Sequence, residues 1–522
     1  MSHSFVPETW NLSKPAVTGQ QGLVASHHYL ASEIGANILA NGGNAVDAAV
    51  AASAAIGAVE PWMSGIGGGG FMLIHQAHEN KTYAIDFGMR APQALNPEDY
   101  PLAEGVGTDL FQWPAVVEDR NLLGYSAMAV PGYVAGINAA LQRFGSRSWA
   151  DSLQPAIELA RQGMTIDWYA TLKITAAARE LAQFEESRRV YLPQGFPPVG
   201  EWGGPLPRIQ LGRLADTLER LASAGAQDFY QGELAQALVA DVQAGGGKLS
   251  LDDLASYQPR VIEAGQTRYR DAEVYFAPGL TAGPSLARAL ELLSTQVPAG
   301  TPLAADSYRG YADSLLQTYA ERLATMGDSD EARQPSCTTH LSVVDKEGNF
   351  VAVTQTLLSI FGSRVMLPQT GILMNNGIMW FDPRPGRPNS IAPGKKPLSN
   401  MCPTFVKRDD GLHFALGASG GRRIMPAIFQ LCSFLIDHRL SVDAAFHQPR
   451  LDVSGSDIVT LDAKLPAAVR TQLAQQFKTL DAQHGVYPAL FACPNLVSFD
   501  HNSGQQTGAA FVPSPWAQVS AA

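Results

Sequence analysis

The apolar positions of the chain change period several times, and each change marks an element. Over "SEIGANILANGG" they recur three and four apart, which predicts a helix stopped by Gly42 and Gly43. Asn44 is placed to cap the next run, "AVDAAVAASAAIGAVE", so the text from Ser26 to Glu60 reads as helical. After Pro61 comes "WMSGIGGGGFMLIHQ", and then "TYAIDFG" alternates as a strand does; together they predict a hairpin across "AHENK". From about Gly136 to Gln296 the pattern is mostly helical, in segments such as "LQPAIELARQG" and "LAQALVADVQAGGG" with glycine-rich stops. "YRGYADSLLQTYAERLA" adds another helix. The polar stretch "DSDEARQPS" (328–336), with its Pro335, predicts an exposed linker. A hairpin follows, starting at Thr338 and turning at "DKEGN". Beyond it short strands ("HFALGA", "IVTLDA", "LVSFD") alternate with helices around Pro426–Leu435 and Ala467–Phe477. The simplest packing is a sheet-rich core drawn from both halves and covered by helices.

Composition narrows the function classes. With 46% hydrophobic and 16% charged residues, the 522-residue chain is globular. A net charge of -11 argues against nucleic acid and anionic membranes as partners, because phosphates are bound through clustered Lys and Arg. Four cysteines without a C-x-x-C pair read as reduced thiols, not a disulfide framework. The N-terminal residues lack the basic and apolar regions of a signal peptide, and the Ala-rich run is interrupted by Asp47, as suits a buried helix better than a membrane span. These features predict a soluble, cytoplasmic protein.

Two familiar motifs fail on context. "GIGGGG" (65–70) matches G-x-G-x-x-G, but it leads into a strand and not a helix, so a tight turn with close backbone approach is the better reading. "APGKKP" lacks the first Gly and the Ser/Thr of a P-loop, and no zinc spacing is present. No metal and no cofactor are expected.

Thr338 is more informative. A β-branched residue beginning a strand is unremarkable by itself. A Thr hydroxyl is a poor nucleophile without a base beside it. If the bond before Thr338 is cut, however, the freed α-amine (pKa about 7.7–8.0) becomes that base on the same residue, already in position. "GASGGRRI" (417–424) has a strand end breaking into glycines, whose N–H groups can face a developing oxyanion or simply cap a helix. "KKPLSNMCPT" puts Ser399 and Asn400 on a turn as polar donors, or as ordinary turn residues.

Taken in order, "GGNAVDAAVA", "EPWMSGIGGGGFMLI", "DFGMRAP", "TTHLSVVDKEGNFVAVTQT", "GILMNN", "PGRPNSIAPGKKPLSNMCPT", "GASGGRRI" and "DAAFHQPR" resemble the γ-glutamyltransferase family of N-terminal-nucleophile hydrolases. The resemblance implies an α+β fold, a four-layer αββα sandwich with a helical middle segment. It implies a proenzyme that cuts itself between Cys337 and Thr338 into a large subunit (1–337) and a small one (338–522), which together form one catalytic domain. It assigns Thr338 as nucleophile, Thr356 as its hydrogen-bonding partner, and Gly420 and Gly421 as the oxyanion pair. Ser399 and Asn400 stand where the family holds a substrate carboxylate. Cleavage before Cys337, with that thiol as nucleophile, is the competing frame. A dimer of the processed heterodimer is an assembly left open.

The departures from the family pattern bear on the substrate. The family's "DFRE" is "DFGM" here, so the Arg that would grip a glutamyl carboxylate is Gly88, and Arg90 is the candidate replacement. Leu358, Gly377 and Trp380 occupy positions where polar or acidic residues would hold the glutamyl ammonium. Losing one partner of a buried ion pair costs roughly 3–5 kcal/mol, on the order of a hundredfold or more in binding. The segment "PGRPNSIAPGKKPLS" is short for a lid loop, which favours water as acceptor. The expectation is an amidohydrolase that releases a small carboxylate-bearing acyl group, as family members acting on oxamate or on glutaryl side chains of cephalosporins do. A glutathione hydrolase with a divergent glutamate pocket and an inactive binding homologue are the alternatives.

Overall fold

The computed structural model describes residue 10 and residues 12–106, 113–326, 337–487 and 489–522. The linker expected at 328–336 lies outside these. Two seven-stranded antiparallel sheets are built from β1 (Val17–Gly19), β2 (Gly22–Ser26), β3 (Gly69–Gln76), β4 (Lys81–Phe87), β5 (Arg260–Glu263), β6 (Gly265–Tyr269), β7 (Ala272–Phe276), β8 (Cys337–Asp345), β9 (Phe350–Leu358), β10 (Thr404–Arg408), β11 (Leu412–Ser419), β12 (Cys493–Asp500), β13 (Gln505–Ala510) and β14 (Gln518–Ala521). One sheet runs β14-β2-β8-β9-β3-β4-β5, the other β1-β13-β12-β11-β10-β7-β6. Each takes strands from both sides of Thr338.

Alternation on these strands assigns the layers. On β8, Leu341 and Val343 join the helix-side core, while Val344 points between the sheets with Phe350 and Ala352 of β9 and Phe405 and Ala415 of the other sheet. Helices α1 (Tyr29–Ala40) and α2 (Ala45–Val59) cover the first sheet. Helices α3 (Gly283–Gln296), α4 (Ala305–Met326) and α5 (Ile424–Ile436) cover the second. The result is the expected four-layer α+β sandwich, with the helical middle segment packed outside α2.

The Ala-rich α2 is buried almost throughout. Asn44 caps it in a capping box with Asp47. Asp47 is itself fully buried, and it accepts from the backbone N–H groups of Asn44, Ser146 and Arg147 and from the Ser146 hydroxyl. The acid in the apolar run is thus a tie between α2 and the helical middle. Among the described residues, no helix is long and apolar enough to cross a membrane.

One expectation is corrected. Ser26 ends a strand, and the first helix starts only after His28, whose ring accepts from Leu30 N–H. The stretch 136–296 is mostly helical, as expected, and it also contains β5, β6 and β7, which extend the edges of both sheets. These are short strands, and β5 and β6 leave most side chains half-exposed, so the signal is weak beside the helical periodicity around them.

The glycine run serves close backbone approach. A Cβ on Gly67 would meet Leu373 O at 2.4 Å, on Gly68 Thr356 O at 2.2 Å, and on Gly70 Thr354 O at 2.3 Å. Side chains there would push β9, and with it Thr356, away from β3.

Candidate active site

Thr338 lies at the start of β8, on the inner strand pair β8/β9, and is 3% exposed. The ladder is irregular there: Cys337 pairs with Leu358 and Thr339 with Gln355, so β9 carries one extra residue opposite Thr338. The bulge brings the Thr338 hydroxyl to 3.4 Å from the Thr356 hydroxyl. Thr356 Oγ1 in turn accepts from Leu358 N–H at 2.8 Å. Leu358, buried and non-glycine, is held at φ +88°, a conformation that costs on the order of 1–3 kcal/mol and is found where surrounding structure imposes it.

Among the described residues, no histidine is hydrogen-bonded to Thr338. His340 is buried, with its ring nitrogens 2.8 Å from Thr354 Oγ1 and 2.9 Å from Ser342 Oγ. Burial, with His27 nearby, holds its pKa well below the usual value. His27 is bound to the Cys493 carbonyl, and burial pushes its pKa down to about 4. Both rings are neutral structural groups between the sheets. From the opposite sheet, Asn495 Nδ2 donates to His340 O at 2.7 Å and Gln506 Nε2 to Asp345 O at 2.8 Å, which fixes β8 against β12 and β13.

The glycine turn follows β11. Gly420 has φ +135° and Gly421 φ +59°, both in the region that favours glycine. A Cβ on Gly420 would also sit 2.9 Å from Ala492 Cα. A 3-10 turn (Gly421–Arg423) then leads into α5. Tyr319 of α4 donates its hydroxyl to Arg422 O and pins this turn.

Ser399 and Asn400 do sit on a turn. Its backbone is held by Ser399 N–H to Leu280 O, and the Ser399 hydroxyl accepts from Met401 N–H. Arg322 of α4 donates to Ser399 O at 2.8 Å and lies 3.5 Å from Asn400 Oδ1. Arg90 is not brought to this turn. Its guanidinium donates to Ser256 Oγ at 2.8 Å and Asp253 O at 3.3 Å and lies over Tyr257, which leaves the substitute-arginine role without support. The reason is local: Gly88 hydrogen-bonds Tyr257 through its carbonyl, and this fixes the strand end against the 250–257 segment, which then claims Arg90.

A pocket of about 290 Å3, counted to its open mouth, lies between α4 and the two turns. Trp113, Trp380, Asn389, Asn400, Arg322 and Arg422 line it. Arg322, Tyr319 and Trp113 escape sequence reading, although one signal was present. Tyr308, Tyr311, Leu315 and Tyr319 form the buried stripe of α4, and Arg322 continues it with a charge. A second, apolar cavity lined by Ala54, Tyr191, Leu218, Leu357 and Met366 lies on the helix side of β9 and carries no acid or base. Cys402 and Cys432 are buried free thiols; Cys493 is free and partly buried. Among the described residues no cluster of acids, histidines and cysteines could hold a metal ion.

The gamma-glutamyltranspeptidase family model matches residues 31–337 and 317–492. The chain belongs to this family. It is 33% identical over 534 residues to the acylase ACY 1 proenzyme of Pseudomonas sp. (strain SE83), covering 95% of this chain and 93% of that one. It is 28% identical over 558 residues to the glutathione hydrolase proenzyme of Bacillus subtilis (strain 168), covering 97% and 92%. The crystal structure of a cephalosporin acylase from Bacillus halodurans superposes with a TM-score of 0.84 at 24% identity over 100% of this chain and 99% of that one, a likeness of fold.

Proposed function

We propose that this chain is an autoprocessed N-terminal-threonine amidohydrolase that releases a small carboxylate-bearing acyl group to water. The observation that carries the reading is the Thr338–Thr356 hydroxyl pair at the bulge, with both neighbouring histidines neutral and bonded elsewhere. Such a threonine needs its own amine as base. Hydrolysis of the Cys337–Thr338 amide supplies it, giving Cys337 a carboxylate and Thr338 a free amine, and dividing the chain into subunits 1–337 and 338–522.

In the proposed reaction the amine takes the Thr338 hydroxyl proton as Oγ1 attacks the substrate amide carbon. N–H groups of the Gly420–Gly421 turn stabilise the oxyanion. The resulting Thr338 ammonium returns its proton to the leaving amine as the C–N bond breaks. Water then attacks the acyl ester, passes a proton to the amine, and releases the acid while Oγ1 regains its hydrogen.

The acylase relative supports this reading, and the glutathione hydrolase relatives keep the second one in play. Against a glutamyl substrate stands the chemistry at Leu358, Gly377 and Trp380, all buried and none acidic, which offers an ammonium no counter-ion. Purified protein assayed on γ-glutamyl-p-nitroanilide, oxamate and glutaryl amides decides between them. Strong γ-glutamyl turnover would overturn the acyl assignment. Two bands on a denaturing gel, the smaller beginning at Thr338, are expected. A single uncut band favours an inactive homologue, and a small subunit beginning at Cys337 favours the thiol.

A further inference from the structure

The two sheets face each other in a register that can be followed to Thr338. Gln506, which pairs with Phe499 of β12, ties Asp345 O. Asn495, four residues back on β12, ties His340 O. Asn495 pairs with Gly417 of β11, and a Cβ on Gly417 would meet the His340 ring at 2.3 to 2.7 Å. One further step along both sheets brings the cross-strand pair Ser419 and Cys493 to the level of Thr338. Ala415 and Val497 belong to the layer between the sheets. Ser419 and Cys493 lie an even number of residues from them and share that face, as Thr338 shares the face of His340. Ser419 is buried, and its hydroxyl hydrogen-bonds the Cys493 sulfur.

Cleavage would create a new donor in this corner, the Thr338 amine. It becomes an ammonium when it takes the hydroxyl proton, and a buried ammonium needs acceptors. The His340 ring nitrogens are engaged with Thr354 and Ser342, and His27 with Cys493 O. Thr356 Oγ1 already accepts from Leu358 N–H. Among the described residues of this face, Ser419 Oγ and Asn495 Oδ1 are the acceptors left. A hydroxyl that donates to sulfur keeps its lone pairs. Asn495 Oδ1 is buried without a partner. Gln506 Oε1 is unpartnered too, but it lies at the far end of β8, where the cut makes no donor. The charged groups that bear on the corner are Glu60, Lys173 and Arg450, all felt at Cys493, with Lys14 and Lys173 felt at His27.

We infer that Ser419 is the positioning residue for the freed amine of Thr338, its hydroxyl accepting one N–H, with Asn495 Oδ1 behind it as the second acceptor. This role presupposes the amidohydrolase reading and deepens it. Held from that side, the amine keeps its lone pair for the Thr338 hydroxyl. The unpartnered Asn495 oxygen is then an acceptor whose donor does not exist until the 337–338 amide is cut. Ser419 is bonded directly to Gly420, so a single strand end carries both the group that holds the base and the turn proposed to hold the oxyanion. Acceptors stabilise the ammonium, so they raise the pKa of this amine above that of the same amine without them.

The test is the titration of the Thr338 amine in the processed protein, read from its 15N shift after labelling with 15N-threonine, beside the pH profile of kcat/KM on a glutaryl amide. Ser419→Ala should lower the amine pKa by about one unit and move the acid limb of the profile to lower pH by the same amount. It should lower kcat about tenfold, with KM, self-cleavage and Tm kept. Ser419→Thr, which keeps the hydroxyl, should restore both titration and kcat. Asn495→Asp should raise the amine pKa, whereas Gln506→Glu, which loses the same kind of tie to β8 at its far end, should leave it in place. An amine titration unmoved in Ser419→Ala, or moved as far in Ser419→Thr, overturns the role, and a matching fall in kcat and Tm would make Ser419 structural. A larger shift in Glu60→Gln than in Ser419→Ala passes the role to Glu60 and overturns it as well. The amidohydrolase reading fails separately: a protein that cuts itself and shows the Ser419-dependent titration, yet hydrolyses no carboxylate-bearing amide, loses its proposed substrate and keeps the held amine. A chain that stays uncut removes both.

Discussion

Thr338, Thr356 and Gly420 sit on strand ends, held by ladder pairs and cross-sheet amides, whereas Tyr319 and Arg322 reach the neighbouring turns from helix α4. The first group is placed by backbone geometry: a bulge, two positive-φ glycines and a glycine run that lets β3 pass close to Thr356. The second is placed by side chains that cross between layers. A reacting group needs fixed position to within a fraction of an ångström, and a sheet provides it. Acyl recognition needs shape and charge, which helix side chains can change without disturbing the sheet.

The comparison breaks first at the nucleophile. Thr338→Ala removes both hydroxyl and chemistry, so turnover should fall by on the order of 10^4 or more, and the chain should stay uncut. A denaturing gel and an amide-hydrolysis assay check this. Maturation and activity retained in that variant would remove the basis of the proposed reaction.

The next largest effect is expected at the Gly420–Gly421 turn, the proposed oxyanion donor. Gly420→Ala forces a Cβ to 2.9 Å from Ala492 Cα at φ +135°. The turn must shift, and loss of one oxyanion donor costs about 10^2–10^3 in kcat. Single-turnover kinetics on a glutaryl amide would read it as a loss in kcat with KM kept. An unchanged kcat would place the oxyanion donors elsewhere.

These two regions also differ in how much of them was legible. Fold class, the β8/β9 hairpin and the Asn44 cap were readable because strand alternation, a Gly-rich stop and a capping residue are local signals. Gly420–Gly421 was readable because glycine marks a backbone need. The edge strands β5 to β7 were lost in a helical neighbourhood, and nothing in "DFGMRAP" says that Asp253 and Ser256 will bond Arg90 or that Tyr257 will bond the Gly88 carbonyl. Arg322 pairs with a turn 77 residues away, and no local period encodes that distance.

The inter-sheet layer gives a pH prediction. His27, facing Lys14 and Lys173, has its pKa pushed by burial from an ordinary 6.5 down to about 4, and His340 is pushed in the same direction. The unfolded chain therefore binds more protons than the folded one below about pH 6.5. The stability these neutral rings contribute is complete above that pH and is lost as pH falls toward about 4. For His27 the shift corresponds to about 3 kcal/mol at most. Calorimetry should find Tm falling between pH 6.5 and 5, before most carboxylates titrate. A flat Tm over that window would mean the rings are solvated.

The smallest expected effect is the most discriminating. Tyr319 and Arg322 are less than one helical turn apart on α4, yet Tyr319 holds the Gly420–Gly421 turn, the proposed oxyanion donor, through Arg422 O, and Arg322 holds the Ser399–Asn400 turn. Tyr319→Phe keeps the ring against the pocket and deletes only the hydroxyl. A lost hydrogen bond to Arg422 O of about 1 kcal/mol leaves the turn looser, so kcat should fall roughly five- to tenfold. KM for a glutaryl amide should stay put, because the Arg322 bonds to the Ser399–Asn400 turn are untouched. Arg322→Gln should do the reverse. If Tyr319→Phe instead moves KM, or lowers Tm with no change in kcat, α4 acts as one structural support, and the division between a sheet that reacts and a helix that recognises does not hold.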